Sequence, residues 1–361
     1  LLTSALVALV APALATTTTD DLVLPPWEGC VPLTVTVSSA FSPLTLPTTS
    51  RPQSATLAAA IRWGTAMNAC KLVLLVESGT YTENVRFDRQ TDLLGRGRTN
   101  PIVRGRIEST GQTVSVNHVT VTGVAGDAIV QRGGRLVLND VAVTDTALSK
   151  GSGWAVRATD GAQVDAWDLD LLRSIGGLRA EGRGTVVRVT DSWIAWNGAA
   201  GAFTAGVDAS AEARVTLDGT VVEGNLHLGV SASGAARVDL VASEVRDTLV
   251  DSGLSGVNLW VDSGASLTAL DFTTTGGEIG FLHGDGYVSL LNGLITDNLI
   301  GIHATVSDVN YGCMEGTLNT GNNVDQDFSQ VSIPGFDLGC VKGDCESPVP
   351  ITQRCAEVPV R

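Results

Sequence analysis

The sequence predicts an all-β solenoid: a right-handed parallel β-helix of roughly ten coils with an N-terminal capping helix. Three observations lead there. Short Val/Leu-rich strands recur, starting at Thr113 (TVSVNHVTVTG), Arg135 (RLVLNDVAVTD), Gln163 (QVDAWDLDLLRS) and Thr185 (TVVRVTDSWIAWNG). They continue at Arg214 (RVTLDGTVVEGN), Arg237 (RVDLVASEVRD), Ser266 (SLTALDFTTTG) and Tyr287 (YVSLLNGLITDN). Within them apolar and polar residues alternate, so one face turns inward and the other outward. A third short strand then closes many of the units, at 127–130, 154–157, 257–260 and 301–304. Such a unit of about 21–29 residues cannot bury its apolar face alone, but it can stack on the next copy. At ~4.8 Å per coil, the stack would be a rod of about 45–50 Å.

Composition agrees. The 361 residues include 41 Gly but only 2 Met and 3 Tyr, a strand-and-turn vocabulary. A formal charge of −15 excludes nucleic acid as a partner class, because counterion displacement needs clustered Lys and Arg. It also disfavours a bare polyanionic sugar unless a cation such as Ca²⁺ bridges the two. No other cofactor is expected.

In chain order, residues 1–15 are almost wholly apolar and end Ala13-Leu14-Ala15, the pattern of a signal-peptide remnant with its cleavage site. No later apolar run is long enough for a membrane span. Residues 16–53 are Thr/Pro-rich and read as a linker with one edge strand at 33–37. Residues 54–68 predict the helix, capped by Ser54 or Thr56, with Leu57, Ile61 and Met67 on its apolar side. Placed before the strands, it can cover the open bottom of the stack. The coils then run to about residue 310, and 311–361 read as a Cys-containing cap.

Six cysteines, with no C-x-x-C, suit disulfides in an oxidising compartment better than a zinc site. Cys30 is expected to pair with Cys70, while Cys313, Cys340, Cys345 and Cys355 leave three connectivities open. The expected location is therefore secreted, at the cell surface or in the extracellular space, with the periplasm as an alternative.

The spacing of the coils alternates between long and short. Extra residues fall after the second strand of each long coil, at 147–153, 198–206 and 248–256, and are rich in Gly, Ser and Ala. Insertions at a fixed point project from one face, so this ridge is the candidate binding surface. Among seven tryptophans, Trp154, Trp193 and Trp196 are the candidate carbohydrate contacts, since an exposed indole stacks on a sugar ring. Trp193 and Trp196 straddle a strand, so at most one can face the bore. Asn197, Asn225 and Asn298 share a post-strand position and predict a turn ladder. Asp165, Asp168, Asp170 and Asp191, with Arg173 and Arg188 nearby, are the acids a hydrolase or lyase would draw on. They serve turns and surface pairs equally well. His118, His227, His283 and His303 lie in separate coils without metal-ligand spacing.

The stretch 55–97 resembles the opening of the pectin lyase-like right-handed parallel β-helix superfamily. "ATLAAAIRWGTAMNA" matches its helix, "KLVLLVESGTYTENVRF" its first coil and "TDLLGRG" its next strand. Gly79-Thr80-Tyr81-Thr82-Glu83 is similar to the G-x-Y-x-E segment of pectin methylesterases. The resemblance implies the fold and an extracellular setting among polysaccharides. The catalytic signatures of the family's enzymes do not follow: Q-D-T-L, D-F-I-F-G and L-G-R-P-W are absent, as are N-T-D, R-I-K and D-P-H. No residue is therefore assigned a catalytic, cofactor or metal role. The expected function is that of a non-catalytic adhesion or surface-assembly protein whose partners are polysaccharide or other surface proteins. The alternative is a lyase or hydrolase acting on uronic-acid polysaccharide.

Overall fold

A computed structural model describes residues 32–41, 52–200, 202, 204–251, 256–304, 313–315 and 317–327. The signal-peptide reading of 1–15 lies outside them, as do Cys30, Cys340, Cys345 and Cys355. Cys70 is disulfide-bonded.

The chain is a parallel β-helix. Its strands form a broad sheet of 21 strands and a narrow sheet of 11, and every strand pairing in both is parallel. The narrow sheet takes one strand from each coil, so the described residues make eleven coils. Right-handed crossovers are the rule for such connections. The strands Cys313–Glu315, Leu318–Asn319 and Val324–Asp327 pair with the coil before them, carrying the stack past residue 310.

Alternation places the core in the bore. On the broad sheet, Val114, Leu136, Val164, Val187, Val215, Val238, Leu267 and Val288 stand in one register column. On the narrow sheet the matching column runs Ile129, Val156, Leu178, Val207, Val230, Leu259, Phe281 and Ile302. All are buried. Each such side chain contributes about 1.5–3 kcal/mol relative to exposure.

Two corners explain why Asp, Asn and Gly recur between the strands. One, inside the broad sheet, holds His118, Asp140, Asp168, Asp191 and Asn292 at φ between +48° and +56°. The other, where the chain leaves that sheet, holds Asp145, Arg173, Trp196, Asp247 and Asp297, again at positive φ. Short polar side chains tolerate this region best.

Behind the second corner runs the amide ladder. Asn197 donates to Asn225 Oδ1 at 2.9 Å, and Asn298 to Asn322 Oδ1 at 3.0 Å. Thr248 and Gly277 occupy the two intervening rungs. Asn258 reaches in from the narrow sheet to fill the gap, accepting from Thr248 Oγ1 at 2.6 Å and donating to Asn298 Oδ1 at 3.0 Å.

The helix spans Leu57–Ala66, capped by Thr56, whose hydroxyl accepts from Ala59 N–H. Leu57, Ala60, Ile61 and Gly64 face the first coils, while Met67, placed on the apolar side by the sequence, is exposed at the C-cap. The turn after Ala66 has already rotated it off that face. Glu83 completes the N-terminus, its two carboxylate oxygens accepting from Leu57 N–H and Ala58 N–H at 2.8 Å each. A carboxylate there meets both unpaired amides and the positive end of the helix dipole. Tyr81 Oη donates to Glu77 O at 2.8 Å. Gly-Thr-Tyr-Thr-Glu thus joins the helix to the first coil.

Candidate functional site

The third strands lay out the site. Their alternation turns Arg157, Arg179, Asp208, Ser231 and Trp260 outward in one register column of the narrow sheet. Beside this column stand Leu148, Gly151, Ser152 and Gly153 of the first insertion and Ala202 and Thr204 of the second. Together they enclose a cleft of about 270 Å³ lined by Ser152, Trp154, Arg179, Thr204, Asp208, Ser233 and Trp260, among others.

Trp154 forms one wall. It is only 7% exposed and lies over Gly176 of the next coil, where a Cβ would come within 2.4 Å of the indole. The Arg179 guanidinium carbon sits 5.5 Å from the ring centroid, a cation–π distance. Arg179 Nε is 3.5 Å from both Glu181 and Asp208 carboxylates.

Asp208 is the most perturbed group of the cleft. Burial pushes its carboxyl above the ordinary Asp value. A hydrogen bond from Ser231 Oγ (2.7 Å) and the charge of Arg179 oppose that rise, while the Glu181 carboxylate adds to it. On the other side of Arg179, Glu181 accepts from Arg157 Nη2 at 3.1 Å. Asp127, itself buried, faces Arg157 Nη1 at 3.4 Å and accepts from Trp154 N–H at 3.0 Å and from the Ser152 hydroxyl. Carboxylates and guanidinium groups therefore alternate along the chain of ion pairs Asp127–Arg157–Glu181–Arg179–Asp208, and the contacts of Asp127 fix the first insertion against the sheet.

At the root of the second and third insertions, His227 is buried, its Nδ1 3.3 Å from Thr204 Oγ1 and its Nε2 3.9 Å from Asp251. Burial holds its imidazole below the ordinary value.

Of the three candidate tryptophans, the structure brings only Trp193 and Trp196 together, at 4.7 Å between centroids and edge to face. They lie on the outer side of the broad sheet, apart from Trp154, and neither enters the bore. The acids considered for catalysis are dispersed. Asp165 is clamped by Arg135 (2.8 Å) and Arg188 (3.5 Å), and Arg173 pairs with Asp145 at 2.9 Å. Asp168 and Asp191 occupy the first corner. Asp170 stands in register with Trp193, its carboxyl raised by burial and then by the nearby Asp140 and Asp168 carboxylates. Among the described residues, no group of three or more His, Cys, Asp or Glu is placed to hold a metal ion. Nor is any helix among them long and apolar enough to cross a membrane.

Arg179, Asp208 and Trp260 were not singled out by the sequence reading. The signal is there: aligning WAVRAT, GLRAE, GVDAS, GVSAS and NLWVD puts all three in one outward column.

No protein family matches the chain, and no curated protein matches it. Solved structures similar to it include the A-module of the Azotobacter vinelandii mannuronan C-5 epimerase AlgE4. That match has a TM-score of 0.42 and 14% identity, covering 77% of this chain and 94% of the other. A GH136 lacto-N-biosidase from Eubacterium ramulus follows at TM-score 0.40 and 9% identity, over 83% and 67%. Pectate lyase Pel9A has TM-score 0.36 and 12% identity, over 84% and 80%. Similarity at this level assigns no activity. By its own strand pairing, the chain is a parallel β-helix protein.

Proposed function

We propose that this protein is exported and binds saccharide at the insertion-covered cleft, serving attachment or assembly at a cell surface or in an extracellular matrix. The observation that carries the reading is the lining. Two indoles, the half-buried Trp260 and the wall residue Trp154, border the cleft, and Ser152, Thr204, Ser210 and Ser233 supply hydroxyls. One Arg179–Asp208 pair adds a donor and an acceptor. This lining suits a neutral, hydroxyl-rich sugar better than a uronate. Among the described residues that line it, Arg179 is the only cation and is already shared between two carboxylates, so a third carboxylate would meet Asp208 and Glu181 as like charges.

One observation favours a second reading, a hydrolase. A buried carboxyl raised above its ordinary value, with a second carboxylate nearby, is the arrangement general acid catalysis uses. Asp208→Asn separates the two readings. Calorimetric titration with neutral and uronate hexasaccharides, alongside a reducing-end assay, should show neutral-sugar binding by the wild type, weakened about tenfold or less in the variant. Reducing ends released by the wild type and lost in Asp208→Asn would make the cleft an active site. Preference for the uronate would overturn the neutral-sugar assignment.

A further inference from the structure

Trp196 sits where its neighbours in the column are mostly Asp or Gly. Equivalent corner positions carry Asp145, Gly224, Asp247, Gly276 and Asp297. A φ of +56° is an outlier for so bulky a side chain. Two further features hold the indole there. It lies across Gly224 of the next coil, where a Cβ would fall 2.5 Å from Trp196 Cδ1. Trp193 buttresses it edge to face, with its own Nε1 directed at Glu223 Oε2 at 3.3 Å. Yet the indole held in this way remains 45% exposed. It fills no core, and the turn itself would be better served by Asp or Gly.

We propose that Trp196, backed by Trp193, is a saccharide-stacking subsite separate from the cleft. The flanking groups suit hydroxyls. Asp170 is in register with Trp193, and Glu223 accepts from Arg246 Nη2 at 3.0 Å beside it. The exposed Trp196 indole, set at 73° to the Trp193 ring that backs it, offers one pyranose-sized face, far below the area a stable protein interface needs. The subsite shares the ligand class proposed for the cleft but stands on its own residues.

The test uses the full chain with Trp196→Asn and Trp196→Gly, the residue types suited to this turn, and Trp167→Ala as an exposed-tryptophan control. Cellohexaose, xylohexaose and mannohexaose serve as probes, read by tryptophan fluorescence and calorimetry, with thermal melting alongside. Both Trp196 variants should melt at or above the wild-type temperature and lose about tenfold in affinity for the probe that binds, with Trp167→Ala unchanged. The same loss should recur in an Asp208→Asn background, which separates the subsite from the cleft. The proposal is overturned if no probe binds the wild type, or if the Trp196 variants melt lower with affinity intact. It is equally overturned if they abolish self-association instead of sugar binding.

Discussion

The outer faces of the two sheets treat charge and aromatic rings differently, although one coil builds both. On the broad sheet, Asp165 with Arg135 and Arg188, and Asp145 with Arg173, pair across neighbouring coils close to solvent. On the narrow sheet, Asp127 and Asp208 are buried. The tryptophans show the same contrast. Trp154 and Trp196 each lie over a glycine of the following coil, but one is 7% and the other 45% exposed. The difference traces to the insertions at the second corner, some of whose residues line the cleft over the narrow sheet. Register decides which side chains are neighbours, and the insertion decides how wet they are.

The sharpest way to break this comparison is to remove the same residue from both faces. Trp154→Ala should cost about 3–5 kcal/mol, because it empties a buried site and strips Arg179 of its aromatic partner. Trp196→Asn should cost nothing. Equal losses in denaturant unfolding would mean that the insertions shelter Trp154 far less than its burial indicates.

A smaller effect is expected from charge on the broad sheet. Asp165→Asn leaves Arg135 and Arg188 unpaired at a surface where both guanidinium groups reach water. The loss should be about 1 kcal/mol or less and shrink as salt is added. A salt-independent loss would show that Asp165 behaves like a buried group.

The smallest effect concerns pH, and its sign differs between Asp208 and Asp145. Burial raises Asp208, so the native state binds its proton more tightly than the unfolded chain does. Stability from this group is therefore greatest in acid and falls as pH rises from the ordinary Asp value of 3.8 through the raised one. Arg173 lowers Asp145, whose contribution is present above 3.8 and lost as pH falls through the lowered value. In unfolding titrations from pH 3 to 7, Asp208→Asn should gain on the wild type as pH rises, and Asp145→Asn should fall behind. Parallel curves for the two variants would remove the distinction.

Much of this architecture was legible because a solenoid writes its rules repeatedly. Val187, Val215 and Val238 recur at one offset, and Asp, Asn or Gly marks most turns of the corners. Asn197, Asn225 and Asn298 could be aligned for the same reason. Asn258 could not, because its place on the narrow sheet belongs to glycine or alanine in the neighbouring coils and its role exists only where Gly277 leaves a rung empty. Glu83 was readable as part of the opening segment, but not as the acceptor for a helix terminus more than twenty residues earlier. The Arg179–Asp208 pair was hidden because each sits in a short, unremarkable strand and only their stacking makes a site.

The link between Glu83 and the helix also orders events during synthesis. The helix is made first, and its first residue, Leu57, waits for the carboxylate cap until a further 26 residues have been added. At ~5–20 residues per second, that interval lasts roughly 1–5 s. The cap forms as the first coil closes, so helix and coil mature as one unit. Each later coil pairs in parallel with the one before it, so a stack built in chain order always offers an edge to the next. Assembly in this order follows the direction of translation, and at every moment the newest coil is the nearest segment able to cover the growing edge.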